Sequence, residues 1–85
     1  MICLHPKAIL EEVAAEGFVL HMGSGIYYEL NTTGYRILRA LLDGVSVDEV
    51  VLKTSSKYGV SAARVSQDIE QLLADLRDYE LITES

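Results

Sequence analysis

The stretch "GSGIYYELNTTG", Gly23 to Gly34, decides the fold class. It packs three signals into a short span. Gly23-Ser24-Gly25 is a turn, Ile26 to Leu30 is a β-branched and aromatic run that reads as a strand, and Asn31 and Thr32 are good N-caps for a helix that starts at once. Working backward, "FVLHM", Phe18 to Met22, is a second strand-like run. Two such runs joined by three residues rich in glycine predict a β-hairpin. "AILEEVAAEG", Ala8 to Gly17, has a helix-favouring composition but is too short and weakly periodic to decide. A two-stranded sheet is marginal, so a third strand over Ala8 to Val13 is the preferred expectation, with helix the open alternative.

Working forward, the spacing predicts three helices. "GYRILRALLDG" places Tyr35, Leu38, Leu41 and Leu42 on one face with Ile37 beside it, and Gly44 stops the run. Ser46 and Glu49 have the spacing of a capping box. The helix they open should turn Val47, Val50, Val51 and Tyr58 inward before Gly59 ends it. Ser61 caps the longest helix, where Val65, Ile69, Leu72, Leu76 and Tyr79 form a stripe that Leu73 widens. Leu81 and Ile82 should tuck back onto the core. The expected fold is α+β and winged helix-turn-helix-like: a three-stranded antiparallel sheet followed by three helices, in a single domain over residues 1–85.

Charge limits the function. The chain has 13 acidic and 7 basic residues, a net charge of −6. In a DNA-binding winged helix a late helix enters the major groove. Here the last helix and its end carry Asp68, Glu70, Asp75, Asp78 and Glu80 against Arg64 and Arg77, which would repel phosphates. No nucleic acid is therefore expected. No apolar run has the length of a membrane span, and "MICLHPKAIL" lacks the parts of a secretory signal. A cytoplasmic protein without membrane contact is the expectation.

Catalytic signals are weak. His5 and His21 are far apart in sequence and no ligand pattern surrounds them, so no metal site is expected. Cys3, the only cysteine, reads as an incidental thiol near a loosely held chain end. Ser24 is a turn residue without a nucleophile elbow. Gly17, Gly23 and Gly25 are followed by a strand, with no Lys-Ser/Thr pair, and so form no phosphate loop. With no catalytic residues and no cofactor expected, the chain reads as a binding module rather than an enzyme.

Two stretches resemble the PqqD-like family. "GIYYELNTTGYRILRALLDGVSVDEVV", Gly25 to Val51, matches its tyrosine-containing strand, Leu-Asn, Gly and Asp-Gly pattern through Tyr28, Leu30, Asn31, Gly34, Leu38, Asp43, Gly44 and Glu49. "VSQDIEQLLADLRDYELI", Val65 to Ile82, is similar to its third helix and closing segment. Tyr79-Glu80 departs from it, since many members have a small residue or glycine there.

The resemblance implies a RiPP recognition element, a domain that binds the leader segment of a ribosomally made precursor peptide. Stand-alone members serve lasso-peptide biosynthesis, presenting the precursor to a separate leader peptidase, or pyrroloquinoline quinone biosynthesis as a peptide chaperone. The short lead-in and free-standing length look more like the lasso type. A winged-helix DNA-binding regulator and an enzyme subunit without a leader role are the alternatives. In this family Ile26 to Leu30 would be the sheet edge to which the leader adds as a further strand. The implied peptide-binding residues are Ile26, Tyr27, Tyr28, Glu29 and Leu30 on the strand and Val65, Asp68, Ile69 and Leu72 on the last helix. Ile26, Tyr28 and Leu30 should face the helices, Tyr27 and Glu29 should look away, and Asp68 should sit on an acidic rim that attracts a basic leader.

Overall fold

The structure, a computed structural model, describes residues 1–84. The chain runs β1 (Ile2–Leu4), β2 (Ala8–Val13), β3 (Glu16–His21), β4 (Tyr27–Leu30), α1 (Thr32–Leu42), α2 (Val47–Tyr58), α3 (Ala62–Asp78) and β5 (Ile82–Glu84). β2, β3 and β4 form an antiparallel sheet in that order, and β1 pairs with β5 in a second antiparallel sheet. The fold is thus α+β with three helices, and Ala8 to Val13 is strand.

The expected sheet-then-helices order is incomplete, because strands lie at both ends of the helical run. Leu81 and Ile82 do tuck onto the core, at 0% and 4% exposure. Their burial carries the chain end past β1, where Leu4 pairs with Ile82 and Ile2 with Glu84. Strands this short carry almost no periodicity, and their pairing spans nearly the whole chain. Cys3 is exposed in ordered β1, rather than in a loose end.

Local rules account for most boundaries. Asn31 caps α1 by accepting from the Gly34 N–H at 2.7 Å, and Ser46 and Ser61 cap α2 and α3 by accepting from the N–H groups of Glu49 and Arg64. The second half of the expected capping box is replaced by an ion pair, Glu49 with Lys53 at 3.3 Å. Gly59 ends α2 in the left-handed conformation that glycine adopts without strain. The β2–β3 turn breaks the usual preference: Ala14 and Ala15 both have positive φ, 53° and 67°. A two-residue hairpin turn of this handedness matches the twist of the strands but normally recruits Asn and Gly.

The core gathers Val19 and Leu30 from the sheet, Ile37, Leu38 and Leu41 from α1, Val50 and Val51 from α2, Val65, Ile69, Leu73 and Leu76 from α3, and Leu81. Three side chains expected inside are outside. Val47 and Tyr58 are exposed at the two ends of α2, and Tyr79 is exposed at the cap position beyond α3. Terminal turns extend past the packed middle of a helix, so the periodic stripe overruns the core there.

Candidate functional site

Backbone parity defines the site. The His21 N–H donates to the Ile26 carbonyl at 2.9 Å. Paired residues in an antiparallel ladder alternate between hydrogen-bonded and non-bonded. In the observed register, Val19 with Tyr28 and Gly17 with Leu30 are therefore the bonded pairs. The Tyr28 and Leu30 amides point inward to β3. Those of Tyr27 and Glu29 point out from the sheet edge, with nothing in the sheet to pair them.

Beside this edge lies a cleft of about 520 Å³ between β4, α1 and α3. Tyr28, Leu30, Val65, Ile69 and Leu72 give it apolar walls, and Glu29 and Asp68 also border it. Leu30, Val65 and Ile69 are buried, whereas Tyr28 and Leu72 are half-buried and present their surfaces to the cleft. Asp68 is exposed and paired with Arg64 at 3.6 Å, one helical turn away.

Two residues expected at the site do not line the cleft. Ile26 directly precedes β4, and its carbonyl accepts from the His21 N–H. The Tyr27 side chain is on the opposite face of the sheet, stacked on Phe18 with ring centroids 5.0 Å apart. Side chains of successive strand residues point to opposite faces, so Tyr27 offers the cleft side its backbone only. Glu29 has the same strand parity as Tyr27, and it borders the cleft at the sheet edge.

Sequence reasoning missed the far wall. Thr33, Gly34 and Ile37 of α1, Thr54 and Tyr58 of α2, and Val60 line the cleft. Tyr58 and Val60 left a signal: both are large apolar residues at the end of a helix whose core face does not absorb them. Asp75 was missed too. The Tyr28 hydroxyl donates to its Oδ2 at 3.0 Å, and Gln71 Nε2 donates to its other oxygen at 2.9 Å. This bond ties the edge strand to α3. Burial, and next the Asp75 carboxylate, raise the Tyr28 phenol above the ordinary tyrosine value. The Tyr79 ring stands 6.0 Å from that of Tyr28.

The histidines, distant in sequence, meet with ring centroids 4.7 Å apart. Their Nδ1 atoms are taken by backbone donors: Lys7 to His5, and Gly23 and Ser24 to His21, all at 3.0 Å. They shape the loops that flank the sheet. Among the described residues no group of three or more His, Cys, Asp or Glu side chains is placed to hold a metal ion. No helix among them is long and apolar enough to cross a membrane.

An unpaired strand edge beside an apolar cleft suits an extended peptide, which completes the ladder through its backbone and fills the cleft with alternate side chains. Comparisons with known proteins agree with that geometry. The family model of coenzyme PQQ synthesis protein D, PqqD, matches residues 16–82. Among solved structures, TbiB1 in complex with the TbiA(beta) leader peptide superposes with a TM-score of 0.86 at 25% identity, covering 98% of this chain and 96% of that one. Lasso peptide synthetase B1 complexed with the leader peptide gives 0.90 at 28% identity, with 98% of each chain covered. No curated protein matches the chain.

Proposed function

The chain belongs to the PqqD family, and from that premise we propose that it binds the leader segment of a ribosomally made precursor peptide. The leader adds as a strand to β4 and is presented to a separate leader peptidase of lasso-peptide biosynthesis. The observation that carries this reading is the outward parity of the Tyr27 and Glu29 amides beside the apolar cleft. Its likeness to two leader-peptide complexes over 98% of the chain supports the lasso assignment. Backbone pairing would contribute about 0.5–1.5 kcal/mol per hydrogen bond, with little sequence selectivity. Selectivity falls to the side chains that Tyr28, Leu30, Val65, Ile69 and Leu72 receive. Asp68 on the rim speeds encounter with a basic leader more than it sets affinity.

This reading treats residues 1–85 as one cytoplasmic, non-catalytic domain with a winged-helix-like layout. The family description favours a second reading, a peptide chaperone in the synthesis of coenzyme PQQ. It uses the same edge and cleft and differs only in the peptide. DNA binding is disfavoured by the acidic surface of α3.

The test is a pair of fluorescence anisotropy titrations, each at two salt concentrations. One uses a labelled leader peptide from the chain's own gene neighbourhood, the other a labelled DNA duplex. Saturable binding of the peptide and none of the duplex is expected. Saturable, steeply salt-dependent binding of the duplex without binding of the peptide would overturn the proposal.

A further inference from the structure

A second groove, of about 180 Å³, opens between α1 and α2. Its floor is apolar, with Ile37, Val45 and Val50, and its rim carries Arg36, Lys53 and Lys57. Three of the seven basic residues of a chain with net charge −6 therefore converge on one small concavity. Lys57 Nζ lies over the Tyr58 ring, 5.5 Å from its centroid. Among the described residues, Lys53 is the one rim cation paired with a carboxylate, that of the exposed Glu49. This groove is not separate from the main cleft: Thr33, Ile37, Thr54 and Tyr58 line both.

We propose that the groove is a second subsite for the peptide held at β4, and that it takes an acidic side chain lying just outside the strand-forming segment. A peptide paired along β4 and continuing past Leu30 reaches Thr33 and Tyr58, the shared wall, and then the three cations. The Tyr58 phenol reports the local field. It is held below the ordinary tyrosine value by a hydrogen bond with Thr33, and further by Lys57 and Arg36. The rim on α3 has the opposite sign, with Asp68. The complete site is thus dipolar and orients its ligand, with basic residues near α3 and an acidic one between α1 and α2. Charge complementarity of this kind sets register and suppresses wrong partners more than it adds affinity.

The inference rests on strand addition at β4, and its test separates the two. A displayed library of random linear peptides is selected on the wild-type protein and on Arg36→Glu/Lys57→Glu. Both positions are exposed, and circular dichroism checks the fold. Wild type should select an alternating apolar segment with Asp or Glu at a fixed offset on one side. The charge-reversed variant should select Lys or Arg at that offset, and Arg36→Gln/Lys57→Gln should select neither. Replacing the acidic residue of a selected peptide by serine should weaken wild-type binding about two- to tenfold at low salt. An apolar segment with no charge preference at any offset would refute the subsite and leave the β4 proposal standing. Selected peptides whose binding survives proline at both Tyr27 and Glu29 would refute both.

Discussion

The two edges of the three-stranded sheet, β2 and β4, are built alike and surrounded differently. Each turns alternate amides away from β3. On the β2 side, Tyr35 of α1 closes down over the central strand: a Cβ placed on Gly17 would lie 2.3 Å from Tyr35 Cδ1. The Tyr35 phenol is raised above its ordinary value by desolvation and next by the Glu12 carboxylate of β2. Glu11 and Glu12 place consecutive exposed charges on that strand, a common protection of an edge against unwanted pairing. On the β4 side the corresponding tyrosine, Tyr28, reaches along to Asp75 and leaves the cleft beside the edge open. An exposed edge is a binding site only where the space beside it can take side chains.

Proline substitution tests this contrast most severely. Tyr28→Pro removes an amide that points into β3 and should cost about 3 kcal/mol or more, enough to unfold much of a domain this small. Tyr27→Pro and Glu29→Pro should stay folded and lose leader affinity by about 1–3 kcal/mol, roughly 5- to 150-fold. The Met22 N–H donates to the Lys7 carbonyl, so on β2 the Glu12 amide points outward and the Glu11 amide inward. Glu12→Pro should therefore leave both fold and leader binding intact. Circular dichroism and anisotropy on the four variants decide. Equal loss of binding from Glu12→Pro and Glu29→Pro would erase the distinction between the edges.

Gly17→Ala attacks the closed side. The new methyl group has no room beneath Tyr35 or beside the Glu11 carbonyl, 3.1 Å away. The expected loss is about 1–3 kcal/mol in a urea melt. A neutral result would mean that Tyr35 swings away freely and that the β2 side is as open as the β4 side.

Tyr28→Phe loosens the open side, removing one hydrogen bond at about 1 kcal/mol. It also carries a pH signature. The folded Tyr28 has a raised pKa, so its contribution is fully present below the unfolded tyrosine value. It is lost as pH rises through the folded one, above about pH 10. Wild type should lose stability faster than Tyr28→Phe in that range, and parallel pH profiles would show that the bond to Asp75 contributes nothing. The smallest effect is a gain. Ala15→Gly relieves a left-handed alanine and should stabilise the fold by about 0.5–1 kcal/mol without altering leader binding, since neither Ala14 nor Ala15 lines the cleft.

Sequence alone determined the local elements. The hairpin around Gly23 to Gly25, the caps Asn31, Ser46 and Ser61, and the apolar stripes of α1 and α3 are consequences of neighbouring residues, and short-range rules read them. The resemblance to the PqqD-like family, read with strand alternation and helical spacing, pointed to part of the candidate site: Tyr28, Leu30, Val65, Ile69 and Leu72. Ala8 to Val13 stayed ambiguous because its turn, Ala14-Ala15, uses residues that carry no turn signal; only pairing with β3 holds them at positive φ. Tertiary structure decided everything that needs two distant segments at once. It paired β1 with β5, brought Asp75 to Tyr28, put Tyr58 and Val60 on the wall of the cleft, and turned the Tyr27 ring away onto Phe18. It also set which amides of β4 face outward, because hydrogen-bond parity is a property of the register between two strands and leaves no mark on either strand by itself.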